Sequence, residues 1–261
     1  MVEEGKIPQV TKEEHVTERY MLMLKRAQEE VGSLQWLALK TRPDIATITA
    51  VCASIQTKNP GQASMWTTEI WKYLNYTAGL GMNLVPEKAE AMVRIAADAS
   101  ITPGGERTRV GVVIRVENAI VHWSSNKQQG CTKSAEEAEI TGAVLGTKVG
   151  ISIRNVVSEM CEERVSLKLD QDNKGMISTI YNEGTAWRTR HYAVKAAGIR
   201  DLIADEEIIL EDKRGIDIIA EPLTKVLPQD KLVESYTKLQ LKLGSGETFE
   251  EQGGGGKTTS P

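Results

Sequence analysis

The sequence predicts an α/β fold, a five-stranded mixed sheet flanked by helices and preceded by a helical segment. Three observations predict it. The first 80 residues carry helix-like stretches broken by proline turns. Short apolar runs bounded by turn residues begin only after about residue 90. From residue 134 onward, helical and strand-like patterns alternate.

Residues 1–30 are charged and read as a helix in which Tyr20, Leu22, Leu24 and Ala27 define no single face. A second helical stretch runs from about Val31 to Leu39 and ends at Arg42-Pro43, because the residue before a proline is pushed out of the helical region. Two further helices, about 44–56 and 62–77, are separated by the turn Asn59-Pro60-Gly61. Met92–Ala97, Val110–Val116 and Ala119–Trp123 then read as three strands of a meander, split by Thr102-Pro103-Gly104-Gly105 and by Glu117-Asn118. Residues 134–158 read as a helix, Val165–Leu169 as a strand and 173–182 as a short helix. A helix over about 189–205 carries the stripe Tyr192, Ala196, Ile199 and Ile203. Ile208–Glu211 is a fifth strand and 216–225 a final helix. Helices packed on one mixed sheet satisfy this order. The tail from Gly244 is Gly/Ser/Thr-rich and expected to be disordered. Its GGGGKTT, Gly253–Thr259, imitates a phosphate loop, but Glu251 stands where that motif requires glycine.

Composition narrows the chemistry. A 40% hydrophobic and 26% charged chain is that of an ordinary globular protein. No run reaches the roughly 18 apolar residues of a membrane helix, and the polar, acidic start MVEEGKIPQVTKEEH is not expected to be a signal or transit peptide. Cys52, Cys131 and Cys161 are odd in number and form no CxxC, which argues for a reducing compartment and against a zinc site. His15, His122 and His191 are equally scattered, so a bound metal would have to sit on oxygen ligands. The net charge of −4 leaves any grip on nucleic acid to a local patch.

Acids at strand ends are the candidate chemistry. Asp98 ends the first strand, in Ile-Ala-Ala-Asp-Ala-Ser, and Asp172 follows the fourth, in Leu-Asp-Gln-Asp-Asn. If those strands are neighbours, the two carboxylates meet at one edge. Glu139 lies in the first long helix after the meander and Glu221 near the start of the last, where both can close the cluster. Singly, such acids more often cap turns and helices, and Glu136, Glu137 and Glu139 can form a solvated face. Converging, they would repel unless a cation neutralised them, and oxygen-only ligands suit Mg²⁺ or Mn²⁺.

Seven segments, in order, resemble copia-type retrotransposon Pol polyproteins. Val31–Ile45, VGSLQWLALKTRPDI, is similar to the segment that follows the reverse transcriptase core, and WTTEIWKYL (66–74) to a helix downstream of it. HWSSNKQ (122–128), SAEEAE (134–139), DNKG (172–175), RTRH (188–191) and IAEPLTK (219–225) resemble motifs of the family's C-terminal ribonuclease H domain. The resemblance carries the family's four metal-binding carboxylates onto Asp98, Glu139, Asp172 and Glu221. Three departures stand out. The first motif reads Asp98-Ala-Ser-Ile-Thr, without the family's tryptophan and later acid; the fourth acid is glutamate instead of aspartate; and Ala193 replaces an acid common after RTRH.

The resemblance implies a ribonuclease H-like fold that hydrolyses RNA in RNA–DNA hybrids by a two-metal mechanism with Mg²⁺ or Mn²⁺. Its alternative is a catalytically decayed domain that only binds nucleic acid or packs against a polymerase. Lys127 and Gln128, at a strand end, and Arg188, Arg190, His191 and Lys195, near the start of one helix, are the candidate nucleic-acid contacts; the latter group reads equally as a solvated basic face. The expected partners are a hybrid duplex and a reverse transcriptase domain, in the cytoplasm or nucleus and without a membrane. The polymerase's own fingers, palm and YxDD motif are absent, so polymerisation is not expected. The expected division is a helical segment over 1–85, the ribonuclease H-like domain over 86–230, and a C-terminal helix with a disordered tail over 231–261.

Overall fold

In the computed structural model the described residues are 11, 17–84, 92–100, 108–128, 132, 134–182 and 190–243. In chain order they form α1 (Glu18–Lys40), α2 (Ala46–Ile55), α3 (Pro60–Tyr76), β1 (Leu80–Met82), β2 (Met92–Ser100), β3 (Arg109–Val116), β4 (Ala119–Lys127), α4 (Ala135–Cys161), β5 (Ser166–Gln171), α5 (Lys174–Tyr181), α6 (Arg190–Ala204), β6 (Ile209–Asp212), α7 (Gln229–Lys238) and β7 (Leu241–Leu243). Three 3₁₀ turns cover Pro43–Ile45, Gly215–Asp217 and Glu221–Leu223. The contacts divide the chain into two compact units. One combines the residues up to Asn83 with those from Val226 onward, and the other runs from Leu84 to Lys225.

In the first unit the two helices expected before Arg42 are one, because the buried positions Tyr20, Ala27, Val31, Leu34 and Ala38 make a single stripe across both. Thr17 caps that helix and Asn59 caps α3, each side-chain oxygen accepting a backbone N–H. Arg42 and Asp44 form a buried pair at 2.7 Å. Tyr73 donates to Asp44 at 2.6 Å and lies 2.7 Å from the Tyr236 hydroxyl, tying α7 to the helices. The segment expected to lead from a C-terminal helix into a tail instead returns as β7, which pairs antiparallel with β1. The glycine-rich tail itself lies outside the described residues.

The second unit contains the expected five-stranded mixed sheet, ordered β4-β3-β2-β5-β6. β2, β3 and β4 form the antiparallel meander, while β5 and β6 join parallel to β2 and β5. One sheet face, with Val93, Ile95, Ala97, Val112, Leu167 and Leu169, buries the core beneath α4, α5 and α6. The helix α4 lies close to it because Gly142, Gly146 and Gly150 recur every fourth residue on the side it turns to the sheet. The helix expected over 216–225 is instead two 3₁₀ turns. Pro222 has no N–H to donate, and the six residues between Gly215 and Pro222 are too few to nucleate a stable α-helix.

Candidate functional site

Asp98 stands inside β2 instead of ending it, because β3 extends the pairing as far as Ser100↔Arg109 and sets Gly111 opposite Asp98. Alternation along β2 sends Ile95, Ala97 and Ala99 to the helix-covered face and Asp98 to the other. On that second face lies the turn 220–224, where Thr224 donates from Oγ1 to Asp98 Oδ2 at 2.8 Å. The turn can lie flat there because Gly111 has no side chain: a Cβ would stand 2.7 Å from the Ala220 carbonyl oxygen and 2.8 Å from Leu223 Cβ.

The parallel pairing of β2 with β5 runs to Ala96↔Asp170, so Asp172, two residues on, emerges from the end of β5 beside Asp98. Its neighbour Asn173 caps α5, accepting the Met176 N–H at 3.0 Å, so the capping role is not Asp172's. Asp172 Oδ2 lies against Gly215, where a Cβ would come within 2.7 Å of it.

Glu139 comes from the opposite side of the sheet, one turn before Gly142 on the sheet-facing side of α4. It is only 6% exposed; Oε1 accepts the Ala99 N–H at 3.2 Å, and Oε2 is buried with no hydrogen-bond partner. Burial, then the charges of Asp98 and Asp172, push Glu139 up to about 8 against the pull of the Ala99 N–H. Asp98 is raised too, chiefly by burial and further by Asp172 and Glu221, while the Thr224 hydroxyl and Lys225 oppose the shift. Glu221 is half-exposed and paired with Lys225 at 3.3 Å. Asp217 pairs with Arg214 and does not figure among the charges that shift Asp98 or Glu139.

The four acids therefore interact electrostatically at one end of the sheet. Among the described residues, however, no three His, Cys, Asp or Glu side chains converge closely enough to hold a metal ion in this conformation. Both facts follow from the same contacts: Thr224 holds Asp98, the Ala99 N–H holds Glu139 and Lys225 holds Glu221, so these carboxylates rest near one another but each is turned to its own partner. The donor set fits a hard divalent cation. It is all oxygen, and it includes a buried, unpartnered oxygen on an acid whose charge its neighbours oppose.

The candidate nucleic-acid contacts are less concentrated. Lys127 ends β4 opposite Arg109. Gln128 faces inward, donating to the Ala138 carbonyl at 3.0 Å and accepting from Thr132 at 3.1 Å, so it fastens the end of β4 to α4 and is not presented to a ligand. His191 and Lys195 lie along α4, against Glu137 at 3.0 Å and Thr141 at 2.9 Å. Arg190 begins α6, and Arg188 lies outside the described residues. Sequence reasoning missed Thr224, Gly111 and Gly215. Thr224 stands in the IAEPLTK motif, but only the strand register reveals its partner.

No protein-family model matches the chain. Over 203 residues it is 26% identical to the retrovirus-related Pol polyprotein from transposon TNT 1-94 of Nicotiana tabacum, a match that covers 77% of this chain and 15% of that polyprotein. The chain thus spans about a seventh of its relative, and the Pol resemblance read from the motifs holds there. Among solved structures it is similar to LC11-RNase H1, isolated from compost, with a TM-score of 0.41 and 14% identity over 51% of this chain and 92% of that one. The N-terminal RNase H domain of rv2228c from Mycobacterium tuberculosis matches with a TM-score of 0.39 and 14% identity, over 57% of this chain and 98% of that one.

Proposed function

We propose that the unit from Leu84 to Lys225 hydrolyses the RNA strand of an RNA–DNA hybrid, with Asp98, Glu139, Asp172 and Glu221 holding Mg²⁺ or Mn²⁺. The observation that carries this reading is the buried, unpartnered Glu139 oxygen, on a carboxyl whose proton affinity burial and the charges of Asp98 and Asp172 raise. When bound, the cation would activate a water and offset the charge that develops on the leaving oxygen. The chain's own residues do the holding. The Ala99 N–H orients Glu139, and Thr224 restrains Asp98. Gly111 lets the Glu221 turn approach, and Asn173 frees Asp172 from capping. The Pol relative supports a reverse transcriptase domain as the natural partner.

A second reading is a silent domain that only binds or packs. It is favoured by the half-exposed Glu221, already paired with Lys225, and by the absence of three converging acids among the described residues. Incubating the purified chain and its Asp98→Asn variant with a labelled hybrid, in EDTA and in Mg²⁺ or Mn²⁺, separates the two. Cation-dependent cleavage of the RNA strand that the variant loses supports the nuclease; hybrid binding without cleavage by wild type supports the silent domain.

A further inference from the structure

The turn at the end of the second unit carries a group that the four acids leave unexplained. Thr224 is only 4% exposed, directly after the turn Glu221–Leu223. Its hydroxyl has one proton and two acceptors in reach, Asp98 Oδ2 at 2.8 Å and the Glu221 carbonyl at 2.9 Å. It therefore touches both the acid on β2 and the backbone of the turn that bears the fourth acid. Across the strand pair, Gly111 leaves only enough room for Ala220, Leu223 and the Thr224 methyl, whose carbon a Cβ would meet at 3.1 Å.

Resting on the nuclease reading, we propose that Thr224 is a positioning residue. Its hydroxyl latches the Glu221 turn to Asp98 Oδ2 and leaves Asp98 Oδ1 as the oxygen offered to the cation. A hydroxyl donating to an ionised carboxylate makes a short, charge-assisted bond, so it selects one carboxylate orientation as well as one turn position. Gly111 is the other half of the latch, since without the space it leaves the turn could not bring the hydroxyl to Asp98. Serine keeps the hydroxyl; valine keeps the shape and loses it.

The test compares wild type, Thr224→Ser, Thr224→Val and Gly111→Ala by thermal melting in EDTA and in a Mg²⁺ series, with hybrid cleavage over the same series. Thr224→Ser should keep the Mg²⁺ midpoint of melting within about twofold of wild type, while Thr224→Val and Gly111→Ala should raise it about tenfold or more, as losing a hydrogen-bond partner behind a metal ligand does. The midpoint for cleavage should move in parallel while KM for the hybrid stays unchanged, a split that a loss of general stability would not produce. A valine variant with the wild-type Mg²⁺ midpoint, or a serine variant as impaired as valine, overturns the latch. If valine prevents folding, Thr224→Ala takes its place with the same expectations. If Mg²⁺ changes neither melting nor cleavage in wild type, the nuclease reading fails, and that control alone distinguishes the outcome from a failed latch.

Discussion

At the scale of the residue, Glu139 has the most to say. Its carboxyl holds a proton more tightly folded than unfolded, so between its ordinary value of 4.5 and about 8 the native state carries the extra proton. That contribution to stability is complete below 4.5 and lost as the pH rises to about 8; Asp98 shifts in the same direction. Half-buried His122 works the opposite way, its value lowered by partial burial and removing stability as the pH falls through the ordinary histidine range. Between pH 6.5 and 8.5 in EDTA the melting temperature should therefore fall by at least about 3 °C, and Glu139→Gln should flatten the decline. An equal decline in both proteins would show that the proton is held elsewhere. The fourth acid is the second residue-scale question. Glu221 acts on Asp98, whereas Asp217 turns to Arg214. Hybrid cleavage should thus change less than about threefold in Asp217→Asn and fall about a hundredfold in Glu221→Gln, the scale of a lost positioning contact. Glu221→Asp, which shortens the reach by one carbon, should be faster than wild type. A dead Asp217→Asn beside an active Glu221→Gln would reverse the assignment.

At the scale of the element, α4 decides where Glu139 arrives. Its glycine row presses the helix onto β2 and β3, and the next sheet-facing position toward the N-terminus is the acid. A Cβ on Gly146 would stand 2.7 Å from Ile95 Cγ2 and 3.3 Å from Val112 Cγ1, both on β-branched side chains that are fully or nearly fully buried. Alanine in a helix is worth about 1 kcal/mol over glycine, but forcing a methyl into a packed core costs about 1–3 kcal/mol. Overpacking wins, so Gly146→Ala should lower stability by up to roughly 2 kcal/mol in urea unfolding. It should also raise the Mg²⁺ concentration that cleavage requires, because Glu139 is lifted with the helix. A more stable Gly146→Ala protein would mean that α4 does not rest on the sheet as described.

At the scale of the whole molecule, a net charge of −4 limits how the chain can hold a polyanion. His191 and Lys195 already lie against partners on α4, and Gln128 is turned inward. With these candidates engaged within the chain, the affinity of the Asp98→Asn variant for a hybrid should fall with salt at a log–log slope of about −3 or shallower, measured by fluorescence anisotropy. A slope steeper than about −6 would reveal an extensive phosphate-binding surface. The same charge balance leaves room for a partner domain to supply the rest of the grip.

The sequence by itself determined the strands and helices of the sheet unit from β2 to β6 and their order, because alternation, helical spacing and turn residues are local properties of neighbouring side chains. It also determined which acids to examine, since their motifs keep their order along the chain. Other features were not legible there. The α1 stripe spans two segments that read separately, β7 needs β1 as a partner, and the expected last helix yields to two 3₁₀ turns around Pro222. Gln128 gives the same strand-end signal whether its amide faces water or the Ala138 carbonyl. Only the tertiary structure decided that Asp98 lies within its strand, that Glu139 ends buried with one oxygen unpartnered, and that Thr224 reaches across 126 positions to Asp98. Those outcomes depend on strand register and on how closely backbones approach at Gly111 and Gly215, which are set by packing between residues far apart in the chain.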